Sequence, residues 1–317
     1  LCDMNIQQFK YVLAVAELRH FEAAAKKCFI SQSTLSTMIG RLEGEIGIKI
    51  FDRKTKPVTV TQEGAVIIEQ LRVILKEIAA LENITQELKG ELSGDFEIGI
   101  IPTIAPYLLP LFLAEFANRY PKVRVIVREM TTPVIQKALR QRDIDLGIAA
   151  IPLEDPDLRE YFLYDEPFVL YDSKNTKPQK DAVDIKEISF SNLWLLEEEH
   201  CLRTQVERIC NLSHKQPHRP VNLEFKAGSI DSLVRFTRAR KGETLLPHLA
   251  TLDLPPREKK YLRNFKAPVP IRSVGLIAHR HFVKKGLLEV LRDIIQKAVA
   301  PHLPQMAAPE KKRIRPL

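Results

Sequence analysis

From Thr61 to Leu88 the chain runs without a proline and with one glycine, Gly64, near its start. Ile67, Leu71, Ile74, Ile78, Leu81 and Leu88 follow alternating four- and three-residue steps, with Thr85 the single gap. That spacing predicts one long α-helix carrying an apolar a/d seam. A seam of this length needs cover, either from its own domain or from a partner helix. The helix divides the chain into a short segment before it and a long one after it, and the two read differently.

Residues 5–60 predict three helices and a wing. Phe9, Val12, Leu13, Val15 and Ala16 form the apolar face of the first helix, and Phe21 to Cys28 is short and alanine-rich. Cys28 falls on the apolar side of this second helix and reads as a core residue. The third helix opens at Ser31, a good N-cap, and Leu35, Met38, Ile39 and Leu42 make its apolar stripe. Its other face carries Gln32, Ser33, Thr34, Ser36 and Thr37, short donors and acceptors suited to base edges and phosphates. Arg41, Arg53, Lys54 and Lys56 lie beyond and suit phosphate contact. Lys54 to Pro57 reads as a turn and Val58 to Val60 as a wing strand. A polar helix face is by itself usually a solvated face, so the pattern counts only as a whole.

From Asp95 onward strands alternate with helices, which argues for α/β layers. Strands are expected at 96–101, 123–127, 146–151, 168–171, 193–196, 221–225 and 274–277, with helices at 107–120 and 134–140. Gly90 to Gly94 reads as the hinge into this segment. There is no GxGxxG fingerprint, no P-loop, no GxSxG and no metal-ligand spacing. His200, His214 and His218 follow no zinc pattern, and Asp143 and Asp145 read as loop caps rather than paired catalytic carboxylates. No cofactor and no metal is expected.

A chain of 317 residues suggests two or three domains, and 45% hydrophobic residues can build their cores. No apolar run approaches the roughly 20 residues that span a membrane. No signal-peptide pattern precedes Met4, which reads as a natural start. The net charge is +8, but Lys311, Lys312, Arg313 and Arg315 supply half of it in a tail expected to be disordered. Charge alone would not make this a DNA-binding protein.

Four cysteines in the whole chain argue for a reducing, cytoplasmic setting. Two of them, Cys201 and Cys210, lie close together, which suggests redox sensing, catalysis or metal binding more than a structural bridge; small core residues are the plain alternative. Leu202, Val206 and Ile209 sit at helical spacing between them. Nine residues of helix hold the ends roughly 13 Å apart, whereas a disulfide needs Cα atoms about 5.5–6 Å apart. The two thiols can bridge only if the helix unwinds.

The run Ser31-Gln-Ser-Thr-Leu-Ser36, with Arg41-Leu-Glu43, Gly47, Phe51-Asp-Arg53 and Thr61-Gln-Glu-Gly64, resembles the winged helix-turn-helix of LysR-type transcriptional regulators. Ser33 departs from the proline common at that place. The resemblance implies a domain plan. A winged helix-turn-helix at 4–64 is followed by a linker dimerisation helix at 65–92. A two-lobed, periplasmic-binding-protein-like α/β effector domain occupies 93–300, and a basic tail 301–317. Lobe I would comprise 93–165 and 267–300, and lobe II 166–266, the chain crossing near Asp165 and returning near Lys266. Double-stranded operator DNA is the implied partner, with a dimer through the linker helix, a tetramer through effector domains, and RNA polymerase.

Within that family, four stretches look like the OxyR-type hydrogen-peroxide sensors: Ile100 to Pro110, Glu129 to Thr132, His200-Cys201-Leu-Arg203 with Cys210, and Gly275 to Arg280. This resemblance implies Cys201 as the peroxidatic thiolate and Cys210 as the resolving thiol. His200, Thr103, Thr132 and Arg280 would complete the site, and Cys201 would need a partly lowered pKa. A thiol–disulfide reductant would reset it. Lys241-Gly-Glu243 replaces a smaller, glycine-richer turn usual before Thr244-Leu-Leu-Pro247. Two other readings stay open. One is a LysR-type regulator answering to a metabolite in the lobe cleft, with incidental cysteines. The other is a thiol peroxidase with an appended DNA module.

Overall fold

A computed structural model describes residues 4–88, 92–174, 182–188, 192–197, 201–210, 225–304 and 313–314. The chain forms two compact units, 1–91 and 92–317.

The first unit begins with α1 (Ile6–Leu18), α2 (Phe21–Lys27) and α3 (Gln32–Ile46). Asn5 and Gln8 close a reciprocal capping box on α1, with bonds of 3.0 and 2.8 Å, and Ser31 caps α3 by accepting from the Thr34 amide at 3.1 Å. Gly47 ends α3 in the left-handed region at φ 69°, where a side chain would strain the backbone. Strands β1 (Phe51–Asp52) and β2 (Thr59–Val60) pair antiparallel and make the wing. Phe9, Val12, Val15, Leu35, Ile39, Leu42 and Ile50 are buried together in one core. Cys28 is half-buried at the C-terminal end of α2 and packs on that core, as expected.

Helix α4 (Gln62–Leu88) starts against the Ile50 backbone, where a Cβ on Gly64 would come within 2.3 Å of the Ile50 carbonyl oxygen. The seam divides along its length. Leu71, with its neighbour Ile68, is buried in the winged module, and Ile67 and Ile74 are half-buried against it. Leu81 is 61% exposed. The side chain of Leu88 lies outside the described residues. The opening turns of the helix are therefore covered by their own domain, a role the seam spacing alone could not assign.

The second unit is built on strands β3 (Gly94–Ile100), β4 (Val123–Glu129), β5 (Leu146–Ile151), β6 (Leu158–Asp172), β7 (Glu243–Pro247), β8 (Leu262–Asn264), β9 (Val269–His279) and β10 (Arg313–Ile314). The sheet order is β4-β3-β5-β9-β6-β7, with β8 paired to β6 and β10 to β9. β3 pairs in parallel with β4 and β5, while β9 is antiparallel to β5 and β6. Helices α5 (Ala105–Arg119), α6 (Thr132–Arg140), α7 (Cys201–Ile209), α8 (Ile230–Ala239), α9 (His248–Leu252), α10 (Pro256–Lys259) and α11 (Lys285–Val299) cover it.

Two cores result. Phe96, Ile98, Phe112, Phe116, Leu276 and Leu291 belong to one, and Phe168, Leu170, Trp194, Leu202, Val206 and Leu245 to the other. β6 passes from the first core to the second around Asp165–Phe168. Its first half pairs β9, and its last residues pair β7 and β8.

Some expectations need correction. Residues 193–196 do not form a strand: Leu193 and Leu196 make single bridges to Glu243 and Ala227. Of the expected strand at 221–225, residues 221–224 lie outside the described residues. The tail is not wholly irregular, because Arg313–Ile314 add in parallel to Val269–Pro270, using backbone groups that β9 leaves open there. Asp145 does act structurally, accepting from the Glu97 amide and from Lys284, each at 2.9 Å. Among the described residues no helix is long and apolar enough to cross a membrane, and no group of histidine, cysteine and carboxylate side chains is arranged to hold a metal.

Candidate functional site

In the first unit, Gln32, Ser33, Thr34, Thr37 and Arg41 are exposed on α3, opposite the buried Leu35, Ile39 and Leu42. The Ser31 hydroxyl bonds to those of Ser33 at 2.9 Å and Thr34 at 2.8 Å, so the first turn is a linked set of hydroxyls. Lys54 and Lys56 project from the wing turn, fully available to a phosphate backbone. Arg53 is more engaged than its sequence position suggested. It donates to the Ser36 hydroxyl at 2.8 Å and to Glu43 at 3.3 Å, and lies over the Phe21 ring at 4.9 Å. Glu43, with a side chain 0% exposed, also accepts from the Ile50 and Phe51 amides at 2.9 and 3.2 Å. This carboxylate ties α3 to the wing, which orients the polar face against the basic turn.

In the second unit, Cys201 opens α7. Cys201 as a residue keeps some exposure, yet burial dominates at its thiol and raises its pKa. The opposing influences are, in order, the Arg272 charge, the Thr132 hydroxyl and the amides of Leu202 and Cys201. The expected lowering is therefore reversed: desolvation outweighs the positive charge. The Thr132 hydroxyl acts on the thiol without hydrogen-bond geometry, for its oxygen is buried with no hydrogen-bond partner. Gln205, one turn further along α7 and 0% exposed, also has both amide atoms buried and unpartnered. Residues four apart share a helix face. A nucleophile thus shares its surroundings with polar groups whose hydrogen bonds are unmade, an arrangement suited to a small ligand that both donates and accepts.

Thr103 is buried in the loop after β3, where its carbonyl and hydroxyl accept from Arg272 at 3.2 and 3.4 Å. Thr103 and Thr132 are thus both gathered around the Arg272–Cys201 pair. Arg280 is not. It follows the last residue of β9, is half-exposed, and bonds Asp157 at 3.1 Å and His281 at 3.2 Å. Arg272, inside β9 and 1% exposed, holds the place expected of it. An arginine amid the apolar run of a central strand was the available signal. Gln205 and Glu166 were also missed: nothing local distinguishes a buried polar residue from an exposed one. His200 lies outside the described residues.

Cys210 ends α7, its amide donating to the Val206 carbonyl at 3.0 Å. It is buried in the second core, and that burial, reinforced by the Glu243 carboxylate, pushes its thiol up to about 12. Cys28, Cys201 and Cys210 are all free thiols. An unbroken helix separates the last two, as the spacing predicted.

Residues 6–65 match the bacterial regulatory helix-turn-helix protein, lysR family, and residues 89–300 match the LysR substrate binding domain. A hydrogen peroxide-inducible genes activator of Dickeya chrysanthemi is 32% identical over 311 residues, covering 96% of this chain and 99% of that protein. The DNA-binding transcriptional dual regulator OxyR of Escherichia coli K12 is 32% identical over 305 residues, 94% of this chain and 97% of its own. Among solved structures, a full-length OxyR variant from Pseudomonas aeruginosa superposes with a TM-score of 0.71 at 30% identity, covering 92% of this chain and 98% of that one. A Corynebacterium glutamicum OxyR mutant with hydrogen peroxide bound gives 0.61 at 27% identity, covering 94% of each.

Proposed function

The chain belongs to the LysR family of helix-turn-helix transcription regulators, and we propose that it is a peroxide-sensing member that reads hydrogen peroxide through Cys201 and controls oxidative-stress genes through α3. It regulates transcription rather than catalysing a metabolic reaction. The observation that carries the proposal is the buried Cys201 thiol beside Arg272, with the unpaired Thr132 hydroxyl next to it.

Peroxide is small, has two hydroxyl groups, and suits that polar surround. Thr132, Thr103 and Gln205 offer hydroxyl and amide groups to its oxygens. The Cys201 thiolate attacks one oxygen: an S–O bond forms, the O–O bond breaks, and the other oxygen leaves as hydroxide and is protonated to water. Arg272 stabilises the charge that develops on the departing oxygen. The resulting sulfenic acid condenses with the Cys210 thiol, forming an S–S bond and releasing water. A thiol–disulfide reductant reverses the step.

This condensation requires α7 to come apart, since its nine residues span roughly 13 Å. Closing a loop of this size removes chain entropy worth on the order of 2.7 kcal/mol, comparable with the packing of one short helix. Oxidation then works as a two-state switch. Its readout is a change in effector-domain packing, in a dimer joined through α4 and a tetramer joined through effector domains. Operator DNA and RNA polymerase are the partners, and the cytoplasm is the setting.

The test is titration of the reduced protein with peroxide, mapping thiols by peptide mass and following operator binding in parallel. One equivalent should yield the Cys201–Cys210 disulfide together with altered operator contact. DNA control that persists unchanged in Cys201→Ser and responds to a small organic ligand would favour the metabolite reading instead.

A further inference from the structure

Arg272 has a buried partner that the reaction above does not use. Glu166, on β6, is 0% exposed, and its Oε2 accepts from Arg272 Nε at 2.7 Å. Its other oxygen, Oε1, accepts the Leu249 amide, also at 2.7 Å. Leu249 lies in the first turn of α9, whose N-cap position is Pro247 with no capping side chain. The carboxylate therefore serves two donors, one in the site and one in a helix that would otherwise leave an amide unsatisfied. On its other side the same guanidinium donates to Thr103, at 3.2 Å to the carbonyl and 3.4 Å to the hydroxyl. A planar guanidinium held at both edges has one orientation.

We propose that Glu166 is a positioning residue for the peroxide reaction: it locks the Arg272 guanidinium against Thr103, and it offsets part of the positive charge that Cys201 feels. The proposal rests on the reading of Cys201 as the peroxide-reactive thiol. A buried ion pair is seldom the most stabilising way to fill such a space, because desolvation consumes much of its attraction. Here the pair keeps an arginine beside a thiol without leaving a bare cation in the core. The same pair sets a compromise: the cation promotes the thiolate, the anion behind it restrains that promotion, and the thiol is reactive without being ionised throughout.

Among the described residues, the other titratable groups facing this pair are Tyr164 on β6, Tyr107 on α5 and His248 at the start of α9. Burial raises both phenols, Tyr107 to about 12, and lowers the His248 imidazole below 6.5. Between about pH 7 and pH 11 all three are neutral, so a profile over that range, which reaches above the ordinary thiol value, reports Cys201.

The experiment uses the full-length chain with Cys210→Ser, so that Cys201 oxidation is the only step read. The second-order rate constant with hydrogen peroxide is measured against pH by stopped flow with thiol quantitation. The midpoint reports ionisation of Cys201, and the plateau reports the reactivity of its thiolate. Glu166→Gln removes the charge and leaves one acceptor for two donors. Its midpoint should fall by roughly one pH unit, and its plateau should drop about ten-fold. Glu166→Asp keeps the charge but is one methylene short. Its midpoint should stay while its plateau drops, and it carries the test if Glu166→Gln does not fold. A purely structural residue would lower the melting temperature and move neither quantity. Midpoints and plateaus within about two-fold of the parent in both variants overturn the proposal. A parent protein whose Cys201 does not react with peroxide instead removes the reading of the thiol itself, before either variant is compared.

Discussion

The guanidinium of Arg53 donates to the hydroxyl of Ser36 at 2.8 Å, joining the base of the wing to the exposed face of α3. The same side chain reaches Glu43 and covers Phe21. Arg53 therefore serves the geometry of the interface as well as its charge. Arg53→Ala should destabilise the winged module by about 1–3 kcal/mol, since it strips a partner from a buried carboxylate. It should also blur operator selectivity, whereas Lys54→Ala should weaken binding evenly and flatten the salt dependence. Gln32→Ala and Thr34→Ala should relax sequence preference by roughly 1–3 kcal/mol each. Operator titrations at several salt concentrations separate these effects. Arg53→Ala that loses affinity evenly, with full stability, would restore the simple phosphate role.

The two arginines of the second unit make a matched pair of tests. Arg272→Gln should slow oxidation of Cys201 by roughly a hundred-fold, because it removes the cation that favours both the thiolate and the departing oxygen. Arg280→Gln should leave the rate within about two-fold, since its partners are Asp157 and His281. Stopped-flow rates on both variants decide the matter.

Oxidation should unwind α7. Hydrogen exchange of the peptide amides at 202–210 should be slow in the reduced protein and fast after one equivalent of peroxide. Cys210→Ser should stop at the sulfenic acid or over-oxidise, and Cys28 should stay reduced, because burial raises its thiol and no second thiol is near it in sequence. A disulfide formed with protection unchanged would refute the mechanical step while leaving the chemistry intact.

Burial holds the Cys210 thiol at about 12, above its ordinary value of 9.0. Between those values the folded chain keeps a proton that the unfolded chain has lost. The stabilisation is complete below pH 9 and is lost as pH rises toward the folded value. Cys210 should therefore make the reduced protein less stable above that point, contributing a slope approaching 1.4 kcal/mol per pH unit, about the cost of one proton. Cys210→Ala should make the decline shallower by that contribution. Urea unfolding of both proteins at about pH 8 and pH 10 provides the comparison.

The two ends of the α4 seam should behave differently. Leu81→Glu should shift a dimer toward monomer in light scattering while leaving the winged module's melting temperature within a degree or two, roughly the effect of a surface change. Leu71→Glu should unfold that module instead, because Leu71 sits in its core. Equal behaviour of the two variants would contradict the division of the seam.

Much of the fold was legible from local pattern. The capped α3, the long α4, the strand at Leu146–Ile151 and the helical spacing between Cys201 and Cys210 all depend on residues within a few positions of each other. Short-range periodicity reports which face a residue takes, and face assignment was mostly sound. Ambiguity gathered where one face had two possible covers. Leu71 could have met a partner helix or its own domain, and only packing chose the latter.

The thiol site shows the same boundary more sharply. The sequence by itself determined that two cysteines lie at opposite ends of a helix, that Thr103 and Thr132 follow strands, and that a polar helix face precedes a basic turn. Only the tertiary structure decided which arginine meets the thiol. Glu166 and Arg272 are 106 residues apart in the chain, and β6 and β9 bring them together by running antiparallel through the centre of the sheet. Pairing register sets that meeting, and a shift by one residue would turn every side chain to the other face. The tertiary structure also reversed the expected thiol pKa. An arginine's charge can be read from its name, but the desolvation that outweighs it belongs to the packing around it.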